Sequence, residues 1–296
     1  MHTKTKLALP IVLGSLLTLT LAGCSAGAVE TVSDTQKDAA IAELVPAKIA
    51  EAGVLRVATT GTNPPFGSLG EDGKTFVGFE PDLAREMGAL MGLKVEFVQT
   101  SFDGLIPGLA SGSSDIAMNS IGDTKEREKV VDFVTYYHNG TDALVAEGNP
   151  KGLKADALCG AKVGVLRGSL QQNSMLPEQA QKCIAQGETP PTEAAYPETP
   201  AALMALQSGQ VDAVLADIPD LVVADKANPD AFQIAGPSFK NPNPGGVALP
   251  KGSELSEAIH ASIKKLMEDG TYDDFLEKND LSHIKVEESV INGAQS

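Results

Sequence analysis

The phrase Leu-x-Ser-Gly-x-x-Asp occurs twice in this chain, 97 positions apart. The first copy runs from Leu109 through Ser111 and Gly112 to Asp115, the second from Leu206 through Ser208 and Gly209 to Asp212. An apolar, helix-like segment precedes each copy. A short apolar strand follows each one, Ile116-Ala117-Met118 and Ala213-Val214-Leu215. A helix, a Ser-Gly stop, an acid and a strand, met twice at this spacing, point to two lobes of related α/β construction.

Residues 1–23 read as an export leader. Lys4 and Lys6 make a basic start, Leu7 to Leu21 form an apolar run too short for a spanning helix, and Leu21-Ala22-Gly23-Cys24 closes it. That tetrapeptide resembles a bacterial lipobox, which implies cleavage before Cys24 and a lipid on its sulfur, holding the protein to the outer face of a membrane. An ordinary leader followed by a chance cysteine is the alternative. Removing 23 of 296 residues leaves 273, a length that favours two domains. The loss of Lys4 and Lys6 takes the formal charge from −16 to −18. An acidic surface without a basic stripe argues against nucleic acid. Trp is absent and aromatics make up only 4% of the chain, so no multi-aromatic cage for sugars or quaternary amines is expected. With Cys24 lipidated, Cys159 and Cys183 remain, and in an oxidising exterior they read as one disulfide, with two buried thiols as the alternative. No CxxC occurs and His2, His138, His260 and His283 are scattered, so neither a metal nor a cofactor is expected.

Residues 24–45 lack sustained periodicity and are expected to be a flexible tether. The fold is expected to begin near Pro46, with residues 46–142 and 244–296 in the first lobe and 143–243 in the second. Val54 to Ala58 reads as a strand, and Leu83, Met87 and Leu90 mark one face of a helix. In the second lobe Ala161 to Leu166 is a strand and Gly168-Ser169 turns it into a helix. The stripe of Leu255, Ile259, Ile263 and Leu266 is a long helix ended by Gly270. Strands alternating with helices imply open α/β sheets with ligands at the carboxyl ends of strands. That rule places Ser120, Asp217, Thr59 and Ser169 at a crevice.

Arg127 supplies a planar fork matched to a carboxylate, and it follows Thr124, a helix-cap residue whose neighbouring N–H groups favour an anion. Lys125, Glu126, Glu128 and Lys129 surround it, and a charged helix face in solvent would explain the cluster equally. Asp217 ends an apolar strand before Ile218-Pro219. Its carboxylate suits an ammonium, or a helix cap, or both. Ser120 and Ser169 offer hydroxyls that serve a ligand or cap a helix. Phe102 lines an apolar wall or packs in the core. Opposite charges from two lobes describe a clamp for a small zwitterion.

Longer stretches carry a resemblance. Gly78-Phe79-Glu80-Pro81-Asp82-Leu83, Phe102-Asp103-Gly104-Leu105-Ile106-Pro107-Gly108-Leu109 with the Ser-Gly-x-x-Asp that follows, and Thr124-Lys125-Glu126-Arg127 with Val131-Asp132-Phe133 stand in order. So do Gly164-Val165 to Gly168-Ser169, Val211-Asp212-Ala213-Val214 to Asp217, and Asp269-Gly270-Thr271-Tyr272. Together, over about residues 46–280, they resemble bacterial extracellular solute-binding proteins of the polar amino-acid type. The resemblance implies a type II clamshell, two α/β lobes joined by two crossovers, delivering ligand to the permease and ATPase of an ABC importer. It implies Arg127 on the ligand α-carboxylate, Asp217 on its α-ammonium, hydrogen bonds from Ser120 and Ser169, and Phe102 against the side chain. A monomer is expected. Two positions depart from the pattern. Asn63 stands where relatives often carry an aromatic, which argues against a cationic or aromatic side chain held by stacking. Gly122 stands where Ser or Thr is usual, leaving only backbone for the carboxylate. Asn63 and Asn119 would then read a polar side chain. Competing readings are a dehydratase of the cyclohexadienyl type on the same fold, or a ligand-sensing lipoprotein. Against the enzyme, the chain carries no Ser-His-Asp arrangement, HExxH or phosphate-binding Gly loop.

Overall fold

The computed structural model describes residues 36–296; the leader, Cys24 and the first part of the expected tether lie outside them. The folded body starts before Pro46. Helix α1 (Ala39–Glu43) is capped by Asp38, whose Oδ1 accepts from the N–H groups of Ala40 and Ile41 at 2.9 and 3.1 Å. Ile41 and Val45 are buried in the first core, so residues 39–45 are not tether. A helix this short presents too few turns for its period to show in the sequence. Helix α2 (Ala47–Ala52) leads into the sheets.

The first lobe contains β1 (Val54–Thr59), β2 (Thr62–Asn63), β3 (Gly67–Leu69), β4 (Phe76–Val77), α3 (Phe79–Met91), β5 (Lys94–Gln99), α4 (Leu105–Ser111), β6 (Ile116–Ala117) and β7 (Val131–Tyr137). The second contains β8 (Gly140–Ala146), β9 (Lys162–Leu166), α5 (Leu176–Ala185), β10 (Thr192–Tyr196), α6 (Thr199–Gln207), β11 (Ala213–Asp217), α7 (Ile218–Ala227), β12 (Phe232–Ile234) and β13 (Phe239–Lys240). The chain then returns to the first lobe with β14 (Gly245–Pro250), α8 (Ser256–Glu268) and α9 (Thr271–Lys278). The sheets run β5-β1-β6-β14-β7 and β10-β9-β11-β8-β12, with β13 beside β8 and β2-β3-β4 forming a separate small sheet.

The repeated phrase does the same structural work in each lobe. Gly112 and Gly209 sit at positive φ, 74° and 69°, just past α4 and α6. Asp115 Oδ2 then accepts from the Arg56 N–H at 2.8 Å, while its own N–H donates to Arg56 O at 2.9 Å. Asp212 Oδ2 accepts from the Lys162 N–H at 2.8 Å and its N–H donates to Lys162 O at 2.7 Å. Each acid thus fastens the strand after the helix to the first long parallel strand of its lobe.

The lobe boundary lies slightly earlier than the expected residue 142. Thr141 and Asp142 pair with Asp217 and Ala216 in the second sheet, so the first crossing is His138–Asn139, between β7 and β8. Val131 to Ala146 is nearly continuous strand, and the Asn139-Gly140 pair at its middle is the turn signal that marks the change of sheet. The return crossing occupies residues 241–244, between β13 and β14, and spans the expected change of lobe at 243–244. Asparagines join the two crossings. Asn241 Nδ2 donates to Asn139 Oδ1 at 2.8 Å, and Thr141 Oγ1 donates to Asn241 Oδ1 at 2.7 Å. At Gly245 an added Cβ would stand 2.0 Å from the Tyr137 ring, so only glycine lets β14 pass that close.

The first core is aromatic, with Phe66, Phe79, Tyr136, Tyr137 and Tyr272 in mutual contact. The second lobe is aliphatic and carries the expected disulfide, Cys159–Cys183, with Cα atoms 5.6 Å apart. Closing this 24-residue separation is worth about 3 kcal/mol by chain entropy. Replacing both cysteines with Ser is expected to lower the melting temperature by about 6–12 °C in calorimetry, with ligand affinity unchanged.

Candidate functional site

The carboxyl ends of the strands face each other across a narrow cleft. Its walls include Asn63, Phe102, Ser120, Gly122, Arg127, Ser169 and Asp217.

Arg127 comes from the first lobe. The segment is a single turn of 3-10 helix (Arg127–Lys129), not an α-helix N-terminus. The Arg127 N–H is held by Thr124 Oγ1 at 3.2 Å and that of Lys125 by Ser296 O at 2.9 Å, so the expected helix-end anion site is not built. The side chain carries the chemistry instead. Lys125 pairs with Glu128 and Lys129 with Glu126 on the outside, while Arg127 turns inward. Its Nη1 donates to Gly122 O at 2.7 Å, and its Nη2 crosses the cleft to Gly168 O at 2.9 Å. The guanidinium lies 5.9 Å from the centre of the Phe102 ring. Burial lowers its pKa, as expected for a cation removed from water.

Asp217 comes from the second lobe. It stands at the N-cap of α7, but its side chain does not cap that helix. Oδ2 accepts from Ser120 Oγ at 2.9 Å, across the cleft, and Oδ1 from Gln171 Nε2 at 2.8 Å. Burial pushes this carboxyl up, against the hydrogen bonds that oppose the shift. Ser120 holds its hydroxyl there through an unusual backbone, with φ at +50°. The Ser120 N–H donates to Glu80 Oε1 at 2.7 Å, which also receives the Tyr136 hydroxyl. Burial pushes the Glu80 carboxyl up to about 7.

The remaining candidates divide. Ser169 is buried and does both jobs, accepting from the Gln172 N–H at 3.1 Å while lining the cleft. Phe102 is also double, since it lies in a small core cluster and lines the cavity. An added Cβ at Gly122 would meet nothing nearer than Arg127 Nη1 at 3.7 Å, so the position has room for the hydroxyl it lacks. Thr59 does not reach the crevice as expected; its hydroxyl is turned to Asn119 Oδ1 at 3.2 Å. Asn119 reaches the wall, but its Oδ1 is already taken by Thr60 N–H and Oγ1 at 2.9 and 2.7 Å.

Three contributors escaped sequence reading. Asp220 looks like a dipole-favoured acid in a first helical turn, and Glu80 like another. Gln171 reaches Asp217 because residues Gln171–Met175 form a π-helical turn, which no helical period foretells.

The family model of bacterial extracellular solute-binding proteins, family 3, matches residues 55–279. The chain belongs to this family. The L-cystine-binding protein TcyJ of Escherichia coli (strain K12) is 35% identical over 240 residues, covering 78% of this chain and 84% of TcyJ. The arginine-binding protein ArgT of Corynebacterium glutamicum is 28% identical over 255 residues, covering 85% of this chain and 82% of ArgT. Among solved structures, an ancestral arginine-binding protein bound to arginine superposes with a TM-score of 0.71 at 36% identity, covering 77% of this chain and 98% of that one. The ancestral amino acid-binding protein AncCDT-1, a precursor of cyclohexadienyl dehydratase, gives 0.66 at 30% identity, covering 78% and 97%. Family members are extracellular or periplasmic amino-acid-binding components of ABC transporters, and the two-lobed mixed α/β fold described above is theirs. Among the described residues no helix is long and apolar enough to cross a membrane.

Proposed function

We propose that this chain captures a free α-amino acid outside the cell and delivers it to the permease and ATPase of an ABC importer. The observation that carries the reading is the meeting of Arg127 from one lobe with Asp217 from the other on the walls of one cavity. An α-amino acid presents a carboxylate and an ammonium on one carbon, and the names of the relatives share only that chemistry. Arg127 takes the carboxylate in charge-assisted bonds, Asp217 takes the ammonium, and Ser120 and Ser169 complete the set. Gly122 contributes backbone, Phe102 walls the side chain, and Asn63 meets its far end.

Capture works by closure. The lobes touch through Ser120–Asp217, Arg127–Gly168, Asn63–Asp220, and the long pairs Arg167–Asp103 and Lys226–Asp280, both at 3.8 Å. Exposed pairs of that kind contribute little. A ligand touching both lobes therefore sets the equilibrium through its differential affinity for the closed state. The protein works as a monomer, anchored through lipid on Cys24 at the outer face of the cytoplasmic membrane, and catalyses no reaction.

A thermal-shift screen of amino acids, opines and compatible solutes tests the reading. An amino acid at about 100 times its Kd stabilises by about 2.7 kcal/mol, a rise of about 5–10 °C for a chain of this size. If no amino acid moves the melting point, the reading fails. Turnover of prephenate or arogenate would replace it with the enzyme.

A further inference from the structure

Three residues beyond Asp217, on the same face of α7, Asp220 turns a second carboxylate into the cleft. Assigning the Asn63 amide nitrogen to the side that faces it gives two hydrogen bonds across the lobes, to Oδ2 at 2.8 Å and Oδ1 at 3.0 Å. No cationic side chain among the described residues forms an ion pair with Asp220.

We propose that Asp220 is a specificity-determining residue that selects α-amino acids carrying a cationic group, a guanidinium or a primary ammonium, at the far end of the side chain.

The first support is charge balance. Arg127 is the only cationic side chain among the described residues lining the cleft, against Asp123, Asp217 and Asp220. Asp123 accepts from the Ala294 N–H of the C-terminal segment at 3.0 Å. A bound zwitterion cancels Arg127 with its carboxylate and Asp217 with its ammonium. Asp123 and Asp220 are left over, and Asp220 is the one whose only partner is a neutral amide from the opposite lobe; a buried charge without a counter-charge is costly. Its carboxyl accordingly lies well above the ordinary carboxylate range, raised by burial first and then by Asp217 and Glu80. A neutral ligand leaves that cost in place, an acidic one adds to it, and a distal cation removes it.

The second support is position. Three helical residues separate the two acids by about 5 Å along α7, a step that the four-carbon stem of lysine or the stem of arginine spans. Asp220, Asn63 and Thr199 also wall a second cavity of about 280 Å³, lined by Leu203, Met204 and Val223. Asp220 therefore stands in the wall between the cleft and this second space. Asn63 replaces the aromatic that would hold a cation by stacking, and the carboxylate beside it takes over that task.

The inference rests on the amino-acid reading above, and calorimetry on the mature chain separates the two. Lysine and norleucine share a stem and differ in the terminal ammonium. Lysine or arginine is expected to bind at least about thirty-fold more tightly than norleucine or glutamine. Asp220→Asn is expected to erase that margin, bringing the affinities for lysine and norleucine together. Because a cation favours ionised Asp220, arginine binding is expected to release protons to the buffer, seen as a heat that varies with buffer ionisation enthalpy, and Asp220→Asn is expected to lose that release. A wild-type preference for a neutral amino acid, or a lysine margin that survives Asp220→Asn, overturns this inference and leaves the amino-acid reading intact. Failure of every amino acid to bind overturns both. The lysine–norleucine comparison needs no variant, so a misfolded Asp220→Asn would not shield the idea.

Discussion

Replacing Arg127 with Ala is expected to abolish amino-acid binding, lowering affinity by about a thousand-fold, while the chain still melts as a folded protein. The size follows from what the guanidinium does. It is buried between Gly122 O and Gly168 O, at 2.7 and 2.9 Å, so its remaining N–H groups are fixed in direction once the lobes are closed. Truncating one partner of a buried, hydrogen-bonded charge pair costs about 2–5 kcal/mol, much of it the penalty on the ligand carboxylate left unpaired. The fold tolerates the loss because the neighbouring backbone is held by other groups, Lys125 N–H on Ser296 O and Asp123 N–H on Pro244 O. Arg127→Lys is expected to fall between, since a lysine keeps the charge and loses the fork. Isothermal calorimetry alongside a melting curve reads both effects, and wild-type affinity in Arg127→Ala would remove this residue from the site.

Asp217→Asn is expected to separate stability from function. Affinity falls by about a hundred-fold or more, because the ammonium loses its counter-charge in a site that excludes water. Stability at neutral pH is expected to hold or rise. Burial raises the folded-state pKa of Asp217, so the folded chain binds this proton more tightly than the unfolded one. Ionising the group therefore costs stability at pH values above its raised folded pKa. The cost shrinks as the pH falls through that value and vanishes below the unfolded pKa of about 3.9. The amide removes the cost at neutral pH, and the gap between variant and wild type is expected to close in acid. A variant that melts well below wild type at pH 7 would show instead that Asp217 holds the lobes together by itself.

The two halves of the site were unequally legible. The repeated Leu-x-Ser-Gly-x-x-Asp marked both lobes because its acid does the same local job in each, fastening Asp115 to Arg56 and Asp212 to Lys162. Ser120 and Asp217 were found because each follows a strand whose apolar run is visible, and the crevice rule needs only that. Arg127 was ambiguous in sequence. Its charged neighbours pair outside the cleft, and the direction of one side chain decides between a solvated face and a binding fork. Helix α1 was lost to the tether because five residues carry no readable period, and the first lobe boundary was set a few residues late although Asn139-Gly140 marks it.

Local sequence determined the elements, the strand ends and the types of group at them, since helix stops, strand runs and caps depend on near neighbours. Which groups meet was decided by the tertiary structure alone. Asp220 and Asn63 lie 157 positions apart, both sit in segments that satisfy ordinary local roles, and neither carries a sign of the other. Only the closing of one lobe on the other brings that carboxylate to the ligand cavity without a cation, because burial and charge balance are properties of the assembled space and of no single stretch of chain.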